Sequence, residues 1–145
     1  MEEGTIVMRS YILFSFDESD LDDIPVEGQN RLRRIGQKLK QFIEKKDSKL
    51  FSIVVEGHTD SYGEMEYNRS LSLKRSQTVV DYWEQVGFTW ENFDIVPVGL
   101  GERELIVLTG TKDEQSPNRR IVIRLVPKFS QLIQSLKEQN ILLKD

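Results

Sequence analysis

Apolar side chains recur at helical spacing in the stretch that follows Pro25. They are separated by three or four positions, with arginine and lysine side chains between them, and they are Leu32, Ile35, Leu39, Phe42 and Ile43. A stripe of this kind is typical of an amphipathic helix with one buried face. The pattern therefore predicts a helix that begins near Pro25 and covers one face of a sheet.

Four short segments rich in β-branched and aromatic residues predict strands. They are residues 11–16, 50–55, 93–98 and 119–126, the last of which alternates arginine and valine with isoleucine and leucine. Between the second and third segments we expect a helix over residues 72–86, with Ser72 as its N-cap, Gly87 as its stop and Trp83 on its apolar stripe. Strands that alternate with helices predict an α/β sandwich in which βαβ crossovers make part of the sheet parallel.

A further apolar stripe lies near the C-terminus. Residues 130–143 carry leucine and isoleucine at helical spacings, which predicts a terminal helix that packs on the domain or on a partner. We expect three parts: an N-terminal extension over residues 1–10, a domain over residues 11–127, and a C-terminal helical extension over residues 128–145.

Composition narrows the classes of function. The 145 residues suffice for one domain, and a net charge of −4 argues against a nucleic-acid partner. Without cysteine, and with a single histidine, the chain has no thiolate zinc site, cysteine nucleophile or multi-histidine metal site. We find no catalytic motif and no apolar run of membrane-spanning length, so we expect no enzyme activity, no cofactor, no metal and no membrane contact within this segment.

The densest group of chemically active side chains lies at the junction between the second strand and the following helix. The group combines the Asp60 carboxylate, the Arg75 guanidinium and the hydroxyls of Thr59 and Ser61. One carboxylate and one guanidinium suit the ammonium and carboxylate of an amino-acid head group. With Ser72 as the N-cap, Arg75 would lie in the first turn, where the helix dipole also favours a bound carboxylate.

Each of these residues also has a structural interpretation. Asp60 in a glycine-flanked loop is typical of a turn cap, and Arg75 alone is typical of a helix-surface charge. Asn68 is expected either to brace the loop or to touch ligand, and Arg119 either to stabilise the sheet edge or to line the ligand wall. For His58 we favour a structural hydrogen bond over proton transfer.

Motifs spread over most of the chain carry a resemblance to a known family. They are Phe14-Ser-Phe-Asp17, Gly57-His-Thr-Asp60, Gly63, Tyr67-Asn68, Leu71-Ser72, Arg75, Val79, Gly99-Leu-Gly-Glu102 and Asn118-Arg-Arg120. In this order and spacing, residues 11–126 resemble the OmpA-like C-terminal domains of outer-membrane protein A, peptidoglycan-associated lipoproteins and MotB proteins. Two positions depart from the family pattern: Ser76 replaces an alanine, and residues 102–108 lack a common proline.

The resemblance implies a βαβαβ-type α+β sandwich with a mixed four-stranded sheet and helices on one face. It also implies non-covalent binding of peptidoglycan, with Asp60 and Arg75 holding the diaminopimelate group of the stem peptide. Thr59, Ser61, Asn68 and Arg119 are the further candidate ligand residues. On this interpretation, Asp60→Ala or Arg75→Ala abolishes binding and leaves the fold intact.

The resemblance further implies a role in anchoring a parent protein to the bacterial cell wall. The expected location is the periplasm or cell envelope, with a membrane anchor elsewhere in the parent protein. A homodimer is one expected oligomeric state. Two alternatives stay open: the wall-anchoring domain of a MotB-like ion-driven stator, and a protein-interaction module on the same fold. A wall hydrolase that uses Asp60 and His58 is the disfavoured enzyme alternative.

Overall fold

Residues 6–10, 14, 17–45, 50–88 and 94–128 are described by this computed structural model, and they form four strands and two helices. In chain order these are β1 (Ile6–Ser10), α1 (Val26–Ile43), β2 (Phe51–Gly57), α2 (Met65–Gln85), β3 (Ile95–Gly99) and β4 (Ile121–Pro127). The mixed α+β class expected from the sequence is confirmed. The C-terminal helix predicted for residues 130–143 lies outside the described residues. Neither α1 nor α2 combines the length and apolar character needed to cross a membrane.

The sheet has the strand order β1-β4-β2-β3. β2 and β3 run parallel, and α2 is the crossover that connects them, as the βαβ pattern predicts. β4 is antiparallel to both of its neighbours, β1 and β2. The parallel pair brings the C-terminal ends of β2 and β3 to the same edge, where the chain after β2 enters the candidate loop.

The first strand is not the one expected from the sequence. β1 pairs with β4 from Ile6 opposite Leu125 to Ser10 opposite Ile121. The sheet therefore begins within the residues assigned to an N-terminal extension. Of the predicted strand over residues 11–16, Phe14 is described and belongs to no strand, and the others lie outside the described residues.

One face of the sheet carries the core. In the register between β2 and β4, Ile53 lies opposite Leu125 and Val55 opposite Ile123, so these four side chains share a face. Both helices pack on this face, because their buried side chains join the same cluster, which includes Leu32, Leu39, Val79, Val80, Tyr82 and Trp83. The two-layer arrangement leaves the other face, with Glu56 and Arg124, for polar contacts.

The two helices pack closely where Gly36 faces α2. A Cβ atom at Gly36 would lie 2.5 Å from the Phe88 ring and 2.8 Å from the Trp83 ring. The Trp83 indole is fully buried and donates its Nε1–H to the carbonyl of Leu32 at 2.8 Å. The expectation that Trp83 belongs to the core is confirmed.

α2 lies directly against the C-terminal ends of the two parallel strands. A Cβ at Gly57 would lie 1.9 Å from the carbonyl oxygen of Ser72, and one at Gly99 would lie 2.5 Å from the backbone nitrogen of Leu73. No side chain fits at either position without moving the backbone. These glycines thus place the loop after β2 beside the middle of α2.

α2 begins earlier than the sequence analysis predicts. It starts at Met65, with Glu64 in the N-cap position, so Ser72 lies inside the helix. The Ser72 hydroxyl donates to the carbonyl of Arg69 at 2.8 Å and accepts from the Gly101 backbone N–H at 2.9 Å. Its side chain therefore connects the helix to the loop after β3. The prediction that Arg75 lies in the first turn, where the helix dipole would favour a bound carboxylate, was wrong.

Candidate ligand-binding site

The loop that follows β2 is held from both sides by backbone hydrogen bonds. His58 N donates to the Arg120 carbonyl and Thr59 N donates to the Gly101 carbonyl, each at 2.9 Å. His58, Thr59 and Asp60 are at most 3% exposed. The loop is therefore a fixed platform between the segment after β3 and the segment before β4.

Asp60 forms a buried ion pair with Arg119. Its Oδ2 accepts from Arg119 Nη1 at 3.0 Å, and its Oδ1 accepts from the backbone N–H of Tyr62 at 3.1 Å. The turn-capping role and the charged role considered for Asp60 are thus both present in one side chain. A carboxylate retains acceptor sites beyond these two bonds, so it can also accept from a ligand ammonium.

Arg119 lies at the end of a short 3₁₀ helix, Ser116–Asn118, and before β4. The prediction that Arg119 and Arg120 belong to the fourth strand was wrong, because the strand begins at Ile121. Besides Asp60, Arg119 donates from Nε to the Phe14 carbonyl and from Nη1 to the Lys112 carbonyl, each at 2.9 Å. It therefore connects the candidate loop to two distant segments of the chain.

Arg75 is fully buried beneath the loop. Its Nε donates to the Glu18 carbonyl at 2.8 Å and its Nη1 donates to the His58 carbonyl at 3.2 Å. The guanidinium carbon lies 5.1 Å from the centre of the Phe14 ring, within the range of a cation–π contact. Arg75 is thus no helix-surface charge.

Charged groups of both signs surround the Arg75 guanidinium. Burial and the nearby Arg119 cation together lower the pKa of Arg75 to about 10, although the Asp60 carboxylate opposes both effects. We call Asp60, Arg75 and Arg119 the charge cluster. Its buried members are two guanidinium groups and one carboxylate, and the exposed Asp17 carboxylate also neighbours Arg75, so a ligand carboxylate that takes the place of Asp17 would keep the charges balanced.

The other three predicted site residues lie around Asp60. Thr59 Oγ1 donates to the Asp60 carbonyl at 2.9 Å, and both the N–H and the hydroxyl of Ser61 donate to Gln115 Oε1 at 2.9 Å. The Asn68 amide donates to the Asp60 carbonyl at 3.4 Å and to Glu102 Oε1 at 3.2 Å. These polar groups make structural bonds that fix the position of the Asp60 carboxylate.

Gln115 and Asn118 support the site from the irregular segment before β4. Gln115 is 2% exposed and accepts from Ser61, while Asn118 Oδ1 accepts from the backbone N–H groups of Ile106 and Val107 at 2.7 and 2.9 Å. The family motif includes Asn118. Gln115 was missed, because a single glutamine in an irregular segment has no periodic or spacing signal.

His58 belongs to a polar network on the sheet face opposite the core. Its Nε2 lies 3.3 Å from Glu56 Oε1, and Glu56 Oε2 accepts from Arg124 Nε at 2.6 Å. The ligand atoms of Glu56, His58 and Glu104 lie within 4.8 Å of one another, a spacing that suits a metal ion. The Arg124 guanidinium, 3.9 Å from Glu104, already supplies positive charge to both carboxylates, so this network provides structural support for the loop.

Exposed side chains form the rim above the charge cluster. The Tyr62 hydroxyl donates to the Gly110 carbonyl at 2.9 Å, and the Lys112 ammonium lies 5.6 Å from the centre of the Tyr62 ring. The Tyr67 hydroxyl donates to the Asp17 carboxylate. Both Asp17 and Tyr67 are exposed and lie close enough to Arg75 to influence its pKa.

Comparison with known proteins gives a match to the OmpA family model over residues 13–119. Outer membrane protein A of Serratia marcescens is 32% identical over 124 residues, which make up 84% of this chain and 32% of that protein. Outer-membrane lipoprotein YfiB of Pseudomonas aeruginosa is 31% identical over 121 residues, or 83% of this chain and 64% of that protein. The chain thus spans about a third to two thirds of the length of these relatives.

Solved structures share the fold. The peptidoglycan-associated lipoprotein from Burkholderia pseudomallei has a TM-score of 0.63 and 26% sequence identity, covering 82% of this chain and 89% of its own. A periplasmic domain of Helicobacter pylori MotB has a TM-score of 0.62 and 18% identity, covering 93% of this chain and 92% of its own. At that identity the likeness to MotB concerns the fold alone.

Proposed function

Since this chain belongs to the OmpA family, we propose that it binds peptidoglycan non-covalently and anchors a parent protein to the bacterial cell wall. Its relatives include outer-membrane proteins and lipoproteins, and the structural neighbours include a peptidoglycan-associated lipoprotein. A periplasmic or cell-envelope location follows from these relatives. The proposed activity is binding rather than catalysis.

We propose that the charge cluster recognises the diaminopimelate side-chain terminus. The observation that carries this proposal is a buried group with two cations and one anion around Asp60. A zwitterion complements it, because its ammonium pairs with Asp60 and its carboxylate with the guanidinium groups. A carboxylate bound there would also relieve the repulsion between Arg75 and Arg119.

Arg75 has no exposed surface, so the ligand reaches its guanidinium only after a side chain at the rim moves. The hydrogen-bonded pair of Tyr67 and Asp17 is suited to this movement, since both residues are exposed and neighbour Arg75. On this proposal, binding separates Tyr67 from Asp17. Arg119, which is 7% exposed, offers the first contact for the ligand carboxylate.

Co-sedimentation with purified sacculi that contain diaminopimelate tests the proposal. We expect the wild-type domain to pellet with sacculi and Asp60→Asn to pellet much less, because losing one charged contact weakens binding about tenfold or more. Asp94→Asn is the matched control, since Asp94 precedes β3 at the opposite end of the sheet. Circular dichroism must show that each variant is folded.

Two outcomes would overturn parts of the proposal separately. A wild-type domain that stays in the supernatant would refute wall binding altogether. A folded Asp60→Asn variant that pellets as well as wild type would refute the role of Asp60 and leave wall binding intact.

A further inference from the structure

A second concave surface lies against α2, and none of the charge-cluster residues line it. It is a groove of about 520 Å³ between one face of α2 and the segment that follows β3. We call it the arginine groove. It is lined by Glu66, Arg69, Ser70, Leu73, Val98, Gly99, Leu100 and Arg103.

Two cations in the arginine groove have no side-chain partner among the described residues. Within the described ranges, no hydrogen bond or ion pair involves the side chain of Arg69 or Arg103, and both residues are exposed. Glu66 is the one acidic residue in the lining, so the groove presents two positive charges against one negative charge. An anionic ligand with more than one carboxylate would complement it.

The groove also has an apolar floor. Leu73, Val98 and Leu100 line the groove together with the two arginines, and the Leu73 side chain is 46% exposed. Small apolar groups such as methyls can pack against these side chains, while carboxylates face the guanidinium groups. The combination fits a short acidic peptide with small side chains.

The arginine groove is one residue away from the charge cluster along two segments. Asn68 and Glu102 are hydrogen bonded at 3.2 Å, and Asn68 also donates to the Asp60 carbonyl. Arg69 and Arg103 directly follow Asn68 and Glu102 in the chain, and consecutive Cα atoms are about 3.8 Å apart. The hydrogen bond between Asn68 and Glu102 is therefore the boundary between the two sites, and a ligand that occupies both must cross it.

We propose that the arginine groove binds the additional carboxylates of the wall stem peptide whose diaminopimelate end occupies the charge cluster. This proposal rests on the proposed function. The stem peptide is short and carries both free carboxylates and alanine methyls, which matches the charge and the apolar floor. Its size also fits, since small-ligand sites measure roughly 300–1,000 Å³, whereas a stable protein partner covers about 800 Å² of each surface.

Calorimetric titration of two ligands into Arg69→Gln/Arg103→Gln tests this second contact. The ligands are free meso-diaminopimelate, which reaches the charge cluster only, and a stem tetrapeptide that contains diaminopimelate. Arg33→Gln/Arg34→Gln is the matched control, because it removes the same charge from exposed positions on α1. Each titration is repeated at high salt.

We expect the Arg69/Arg103 variant to bind the tetrapeptide about fivefold to twentyfold more weakly than wild type and to bind free diaminopimelate equally well. The range is modest because exposed ion pairs contribute little each, and high salt should shrink the difference. The control variant should bind both ligands as wild type does.

Unchanged tetrapeptide affinity in the Arg69/Arg103 variant would overturn the groove proposal while leaving the diaminopimelate site standing. An equal loss in the control variant would also overturn it, because net charge alone would then explain the effect. If wild type binds neither ligand, the proposed function and the groove proposal both fail.

Discussion

The buried ion pair between Asp60 and Arg119 predicts that Asp60 is needed for stability as well as for binding. Asp60 is 3% exposed and Arg119 is 7% exposed, with 3.0 Å between Oδ2 and Nη1. Asp60→Ala leaves the buried Arg119 guanidinium without its carboxylate partner. Removing one partner of a buried pair costs about 3–5 kcal/mol in the free energy of unfolding.

Urea denaturation followed by circular dichroism measures this cost. With a slope of about 2 kcal/mol per molar urea, a loss of 4 kcal/mol lowers the midpoint by about 2 M. The double variant Asp60→Ala/Arg119→Met should lose less stability than the two single variants together, with a coupling of about 1–3 kcal/mol. Asp94→Ala, which breaks the exposed pair with Lys128, is the control and should leave the midpoint unchanged.

An unchanged midpoint for Asp60→Ala, or a double variant whose loss equals the sum of the single losses, would refute this reasoning. The expected result also changes how binding experiments are designed. The family resemblance implies that Asp60→Ala leaves the fold intact, whereas the ion pair predicts a less stable fold. Loss of wall binding is therefore informative only at temperatures where the variant is folded.

Two further predictions concern the support of the loop. Gly57→Ala should lower the melting temperature by several degrees, because the added Cβ would lie 1.9 Å from the Ser72 carbonyl oxygen. Overpacking of this kind costs about 1–3 kcal/mol or more. An unchanged thermal transition would contradict this close approach. Burial alone would raise the pKa of Glu56, but hydrogen bonds with His58 and Arg124 outweigh it and hold the pKa below the usual value of 4.5. A lowered pKa in the folded state means that this contribution to stability is complete above about pH 4.5 and is lost as the pH falls through the folded-state pKa. Urea midpoints at pH 7 and pH 3.5 should thus differ more for wild type than for Glu56→Gln, and equal differences would argue against this contribution.

Local patterns predicted the elements that fold around their own apolar stripe. The spacing of apolar residues such as Leu32 and Leu39 predicted a helix that begins near Pro25, and α1 begins at Val26. Both side chains are buried as expected. The run of β-branched residues before Gly57 gave β2. In these segments the periodicity that drives burial is present in the local sequence.

Other features depend on distant partners and were missed for that reason. β1 is a strand because it pairs with β4, more than a hundred residues later in the chain, and no local signal marks that pairing. Ser72 has the side chain of an N-cap, yet its hydroxyl bonds to Arg69 and Gly101 within a longer helix.

The structure brings the candidate residues together, and it adds an ion pair that the sequence did not predict. All six candidate residues meet around Asp60, but the ion pair between Asp60 and Arg119 was not predicted from the sequence. That pairing depends on the conformation of the irregular segment before β4, where the Lys112 carbonyl accepts from Arg119 and the Gln115 side chain accepts from Ser61 in the loop. Such a segment has no periodicity from which the contact could be deduced.

The most direct test of the central claim compares two stem peptides that differ in one carboxylate. One contains meso-diaminopimelate, and the other contains lysine at the same position, which keeps the side-chain ammonium and lacks the carboxylate beside it. The charge cluster predicts that the wild-type domain binds the lysine peptide at least tenfold more weakly in calorimetric titration, because a charge-assisted hydrogen bond contributes about 1.5–3 kcal/mol. Equal affinity for the two peptides would contradict recognition of a zwitterion by Asp60, Arg75 and Arg119.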